Sequence, residues 1–94
     1  MHIRFYIDPG SGLPHIYDHG VTEEEVEWVV ANAEHKWHGS GDSIIVIGRT
    51  AGRKLLKVIY SPDEDGDGAF VITAYRPTRK ELLAHNRRMR SKRR

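Results

Sequence analysis

Apolar and polar residues alternate at the start of the chain, where Ile3, Phe5 and Ile7 are separated by Arg4 and Tyr6, the period-two pattern of a half-buried strand. Asp8-Pro9-Gly10 ends that strand with turn chemistry, and a loop or short helical turn runs over residues 13–20. The period then changes. Val26, Val29, Val30 and Ala33 recur at i, i+3, i+4 and i+7, predicting a helix over about 23–33 with one core-facing stripe. Thr22 and Glu25 have capping-box spacing at its start, and Val21 and Val26 sit where a hydrophobic staple places them. At ~100° per residue, Trp28 points away from the valines, so it is covered by another segment, by a partner, or by nothing. We take it as a candidate partner contact.

Three β-branched runs follow at 43–49 (SIIVIGR), 54–60 (KLLKVIY) and 69–75 (AFVITAY), joined by short turn-rich links at 50–53 and 61–68. An antiparallel meander is the economical arrangement for such runs. Thr78 and Glu81 repeat the capping box before a last helix with a weaker apolar stripe of Leu82, Leu83 and Met89. Like charges four apart oppose helix beyond Arg90. The pattern predicts one α+β domain over 1–88, a helix packed on a three- to four-stranded antiparallel sheet with a C-terminal helix, and a frayed basic tail over 89–94.

Length supports this reading. A chain of 94 residues has a core for one domain only, burying roughly 60–65 % of its unfolded surface. Without cysteine there is no thiol nucleophile, disulfide or Cys-based zinc site, and no apolar run approaches a membrane span. These features fit a cytoplasmic protein with no membrane partner.

Charge changes the picture more. The formal net charge is +2, yet residues 75–94 hold nine of the fifteen Lys and Arg but only one acid, Glu81, a net charge of plus eight. The remainder carries six basic groups against twelve acids, a net charge of minus six. A polyanion is drawn to one end and repelled by the rest, and an acidic protein partner could use the same end. Arg76, Arg79, Lys80, Arg87, Arg88, Arg90, Lys92, Arg93 and Arg94 are therefore the candidate nucleic-acid-binding residues.

Four constellations could carry chemistry. Residues 63–68 (DEDGDG) match the first half of a calcium loop, but Ala74 stands where the bidentate Glu belongs, so an acidic hairpin turn is the preferred reading. His15 and His19, and His35 and His38, have spacings that can share a helix face; neither pair has a third ligand, and we assign no metal or other cofactor. Tyr60 and Tyr75 close two strands, and Tyr75 adjoins Arg76, a combination suited either to base stacking or to a half-buried core edge. Finally, Arg76, Arg79 and Lys80 flank a helix N-terminus, whose amides favour an anion, while Glu81, His85 and Arg88 recur on one helix face. Metal-free RNA cleavage needs a base, an acid and cations. Glu81, His85 and Arg76 are the candidate catalytic residues, although Glu81 is also accounted for by the cap.

Residues 15–26 (HIYDHGVTEEEV), the strand pair 47–50 (IGRT) with 56–60 (LKVIY), and 71–81 (VITAYRPTRKE) resemble, in order and spacing, the BrnT-type toxins and related small domains of unknown function in the RelE-like superfamily. The resemblance spans about residues 13–86. It implies an α+β fold, RNA binding and, for toxin members, a metal-independent endoribonuclease neutralised by a cognate antitoxin protein. The last helix of such toxins offers Glu, then Arg three and Tyr four positions later. Here Glu81 matches, Ala84 removes the Arg, and His85 replaces the Tyr with another proton donor. The competing expectation is a non-catalytic module whose basic end engages nucleic acid or an acidic protein.

Overall fold

The computed structural model describes residues 2–92. Strand β1 (His2–Phe5) is followed by a 3-10 helix (His15–His19), helix α1 (Glu23–Ala31), strands β2 (His35–His38), β3 (Ile44–Arg49), β4 (Leu55–Pro62) and β5 (Gly68–Tyr75), and helix α2 (Arg79–Lys92). One sheet has the order β1-β5-β4-β3-β2. Strands β2 to β5 form the expected antiparallel meander, and β1 joins it in parallel along β5, with Ile3 opposite Ala69 and Phe5 opposite Val71.

The sheet is thus five-stranded and mixed, which corrects the three- to four-stranded antiparallel expectation. The additional strand is β2, whose sequence HKWH has no β-branched residue. Pairing with β3 holds it in place, with His35 opposite Ile47 and Trp37 opposite Ile45. It also separates His35 from His38: three apart on a strand, they point to opposite faces instead of sharing a helix face.

Local signals hold at both helix starts. The Thr22 hydroxyl accepts from the Glu25 amide at 3.2 Å, and the Glu25 carboxylate accepts from the Thr22 amide at 2.9 Å. Helix α1 stops two residues before the expected Ala33, where the Asn32 side-chain amide donates to the Trp28 carbonyl at 2.9 Å. Val26 and Val29 are buried as the stripe predicts and Val21 is buried at the staple position, whereas Val30 is half-buried and Ala33, beyond the helix end, is exposed. The buried valines meet Val46, Leu56, Val58, Tyr60, Ala69, Val71 and Ala74 from the sheet, and Ile16 from the 3-10 helix, in one core. Gly48 allows close approach of the link into β2, since a Cβ there would lie 3.3 Å from both the Ala33 Cα and the Asn32 carbonyl oxygen.

Residues 63–68 are the β4–β5 turn, with the Gly66 amide donating to the Asp63 carbonyl and the Asp63 carboxylate paired with Arg4. Trp28 remains 49 % exposed beside Glu24, Glu25 and the β3–β4 turn. Helix α2 continues through Lys92, into the segment that charge alone assigns to a tail. Arg93 and Arg94 lie outside the described residues, as does the Lys92 side chain.

Ile16 is buried within this core, and the segment around it packs against β5. Ile16→Ala should lower the unfolding free energy by about 2–4 kcal/mol, as for other buried Ile truncations, measured by urea denaturation. A cost below about 0.5 kcal/mol would show that the 3-10 helix is not part of the cooperative core.

Candidate nucleic-acid interface

Strand β5 ends at Tyr75, and Arg76-Pro77 leads directly into the cap of α2. Proline cannot continue a sheet ladder, so the chain leaves the sheet here. The Glu81 amide donates to the Thr78 hydroxyl at 3.2 Å, and the Thr78 amide donates to the Glu81 carboxylate at 3.0 Å, completing the second capping box. Arg76, Arg79 and Lys80 are all exposed around this first turn, whose amides carry the positive end of the helix dipole. The structure therefore brings together the three cations that the sequence grouped.

The alternation of the strands decides what lies beneath α2. Leu56 and Val58 face the α1 core, so Lys57 points to the opposite face, in register with Ile47 and Tyr75. There its ammonium group pairs with the Glu81 carboxylate. Burial pushes the Lys57 pKa down, but hydrogen bonds and charge from Glu81 and Tyr75 outweigh it, and the net value lies above the ordinary one. The Lys57 hydrogen bond and the Thr78 amide hold the Glu81 carboxyl below its usual range, against the smaller effect of burial. Glu81 is thus a capped, ion-paired carboxylate, which favours its charged form and opposes service as a proton donor.

His85 lies one turn later on the same face, as its spacing from Glu81 predicts, but that face is turned toward the sheet. Its ring is 1 % exposed, and its Nε2 sits 2.8 Å from Glu34 Oε1. A carboxylate only accepts, so Nε2 carries the proton. The other Glu34 oxygen lies 3.4 Å from Arg49 Nε, so Glu34 joins α2 to β3. Nδ1 of His85 is buried without a hydrogen-bond partner among the described residues. In this conformation His85 ties the helix down and cannot touch a bound strand of RNA.

A row of rings and cations crosses this side of the molecule. His15 and His19 meet edge to face at 5.3 Å, and His19 lies 5.9 Å from Tyr75. Lys57 Nζ stands 5.6 Å from the Tyr75 ring centre and 6.0 Å from that of Trp37, and the Arg88 guanidinium covers Trp37 at 5.9 Å. Between the 3-10 helix and the β5 end, His19, Thr73, Tyr75 and Arg76 line one shallow open cleft. Arg87 and Arg90 are exposed further along α2, whereas Tyr60 is buried in the core.

Sequence reasoning placed Arg76 and Tyr75 at this junction but not His19, Thr73 or Lys57. The signal for Lys57 was present: a lysine at an alternating position within an otherwise apolar strand needs an acidic partner on that face. His19 is brought in by the packing of the 3-10 helix on β5, a long-range contact that no local pattern encodes.

Residues 15–76, two thirds of the chain, match the family described as a domain of unknown function, DUF4258. No curated protein and no solved structure matches the chain.

The Lys57–Glu81 pair generates a pH signature. A carboxylate with a lowered folded pKa stabilises above its ordinary value of 4.5 and loses that contribution as pH falls through the folded value. A lysine with a raised pKa stabilises below its ordinary 10.5 and loses that contribution as pH rises through the folded value. Lys57→Met should therefore cost about 1 kcal/mol between about pH 6 and 9, a difference that shrinks below about pH 4 and above about pH 11, measured by denaturation across pH. An unchanged difference at pH 3 would contradict the pairing.

Proposed function

The chain belongs to the DUF4258 family, whose function is unknown, and we propose that it is an RNA-binding protein of the BrnT/RelE-like toxin type that receives a phosphate backbone at the β5–α2 junction. One observation carries this reading: Arg76, Arg79 and Lys80 stand exposed around the first turn of α2, beside an open cleft lined by His19, Thr73 and Tyr75. Helix-end amides and guanidinium groups bind phosphate oxygens, while the His19 and Tyr75 rings offer π-faces to unpaired bases. The one acid in that turn, Glu81, is neutralised by Lys57. Arg87, Arg88 and Arg90 extend the positive field along α2, and the acidic remainder of the chain orients the polyanion toward this end. An acidic antitoxin docking here would compete with RNA for the same cations.

A second reading, metal-independent cleavage, is favoured by a separate feature of the cleft. His19, Tyr75 and Arg76 supply an imidazole, a phenol and a guanidinium within one opening. The imidazole would take the 2′-hydroxyl proton, Arg76 would stabilise the charged phosphorane, and Tyr75 would protonate the departing 5′-oxygen. In this version Glu81 and His85 hold the helix rather than perform the chemistry. Ala84, where the toxins carry Arg, weakens this reading relative to binding alone.

Binding is tested by fluorescence anisotropy of a labelled single-stranded RNA. Arg76→Ala with Arg79→Ala should weaken affinity at least tenfold and lower the log–log salt slope by about 1.4, roughly 0.7 for each lost phosphate contact. Unchanged affinity and slope would sink the binding reading. Incubation with total RNA in EDTA tests cleavage separately: fragments lost on His19→Ala support it, and intact RNA at high protein concentration eliminates it while leaving binding untouched.

A further inference from the structure

Beside the cleft, the loop after β1 folds back on the 3-10 helix. The Asp8 amide donates to the Leu13 carbonyl at 2.9 Å, the Gly12 amide to the Asp8 carbonyl at 2.8 Å, and the His15 amide to the Tyr6 carbonyl at 2.9 Å. These bonds fix the backbone of Asp8 and His15 relative to each other. Asp8 Oδ1 accepts from the Gly10 amide at 2.8 Å, which orients the carboxylate and leaves Oδ2 facing His15. Residues three apart eclipse on a 3-10 helix, so Asp18 stands over His15.

His15 Nδ1 lies 3.7 Å from Asp8 Oδ2 and 3.6 Å from Asp18 Oδ2. Both separations exceed hydrogen-bonding distance. They approach the spacing of donors that share one ion, since ligands at ~2.0–2.2 Å from a tetrahedral centre lie about 3.4 Å apart. One donor atom from each of the three residues lies within 4.8 Å of the other two, so small side-chain movements would close the group around a cation. The His15 ring also makes edge contacts with Tyr6 at 6.2 Å and His19 at 5.3 Å. Two carboxylates on one imidazole bring two negative charges together, and a dication neutralises both, whereas a protonated imidazole neutralises one.

We propose that Asp8, His15 and Asp18 form a binding site for a single first-row transition-metal dication, with Zn2+ the best-suited probe. An imidazole with two carboxylates suits Zn2+ or Mn2+ better than Ca2+ or Mg2+, which favour oxygen-only shells. The exposed side of Asp18 leaves room for water to complete the shell. The site reaches the cleft through His19 but is independent of RNA binding. The spacing that attracted attention in the sequence, His15 with His19, is replaced by His15 with one acid from the loop and one from its own turn. Asp8 lies seven residues before His15, so only the folded-back loop makes it a ligand.

The test is calorimetric titration of the tag-free full chain, stripped with EDTA and dialysed, with ZnCl2, together with thermal unfolding with and without Zn2+. One equivalent should bind and raise the melting temperature by several degrees, because the ion ties the loop to the 3-10 helix. His15→Gln, and separately Asp18→Asn, should each weaken binding at least tenfold. Asp18 is exposed, so Asp18→Asn should keep the metal-free melting temperature and remain informative if His15→Gln does not fold. His38→Gln on the distant β2 strand should bind as wild type. No saturable binding, Zn2+ binding that survives Asp18→Asn, loss of binding in His38→Gln, or Ca2+ binding as tight as Zn2+ would each overturn the assignment.

Discussion

The arrangement depends on how two carboxylates are neutralised beneath α2. Glu81 pairs with Lys57 of β4, and Glu34 is shared between His85 and Arg49. Partly buried carboxylates are tolerated when paired and hydrogen-bonded, and these pairs also determine which side of α2 faces the sheet. Once Glu81 and His85 point inward, Arg79, Lys80, Arg87 and Arg90 point outward. The same contacts that fix the helix therefore expose its cations. They also bury the imidazole that looked best suited to acid–base chemistry and engage the half-buried Glu81 carboxylate in an ion pair.

Local sequence signals account for much of the fold. Both capping boxes formed, the valine stripe of α1 met the core, and three β-branched runs paired as a meander, because each depends on residues within a few positions of one another. The misses were long-range. His-Lys-Trp-His reads as a polar loop until β3 provides its partner, and β1 reads as a strand without revealing that it lies parallel to β5, each residue paired in register with one 66 positions later, as His2 with Gly68. The charge division between the two parts of the chain was fully legible, since it needs only counting.

The candidate site was half legible for the same reason. Arg76, Arg79 and Lys80 cluster because they are near neighbours at a strand-to-helix junction. Glu81 and His85 do share a helix face, yet periodicity says nothing about whether a polar face meets solvent or a half-buried lysine and glutamate. His19 and Lys57 join Tyr75 only through tertiary packing. The basic end, which first looks like one electrostatic arm, divides into a shaped junction and an outward cationic helix surface.

The proposed mode of binding places a polyanion at the β5–α2 junction while the underside of α2 stays closed. The most direct measurement is a 15N amide spectrum of the full chain titrated with a short single-stranded RNA. Shift changes should concentrate at His19, residues 73–80 and the outer face of α2, with the amides of α1 around Trp28 unmoved. Changes centred on α1 and the β3–β4 turn, with the junction silent, would contradict it.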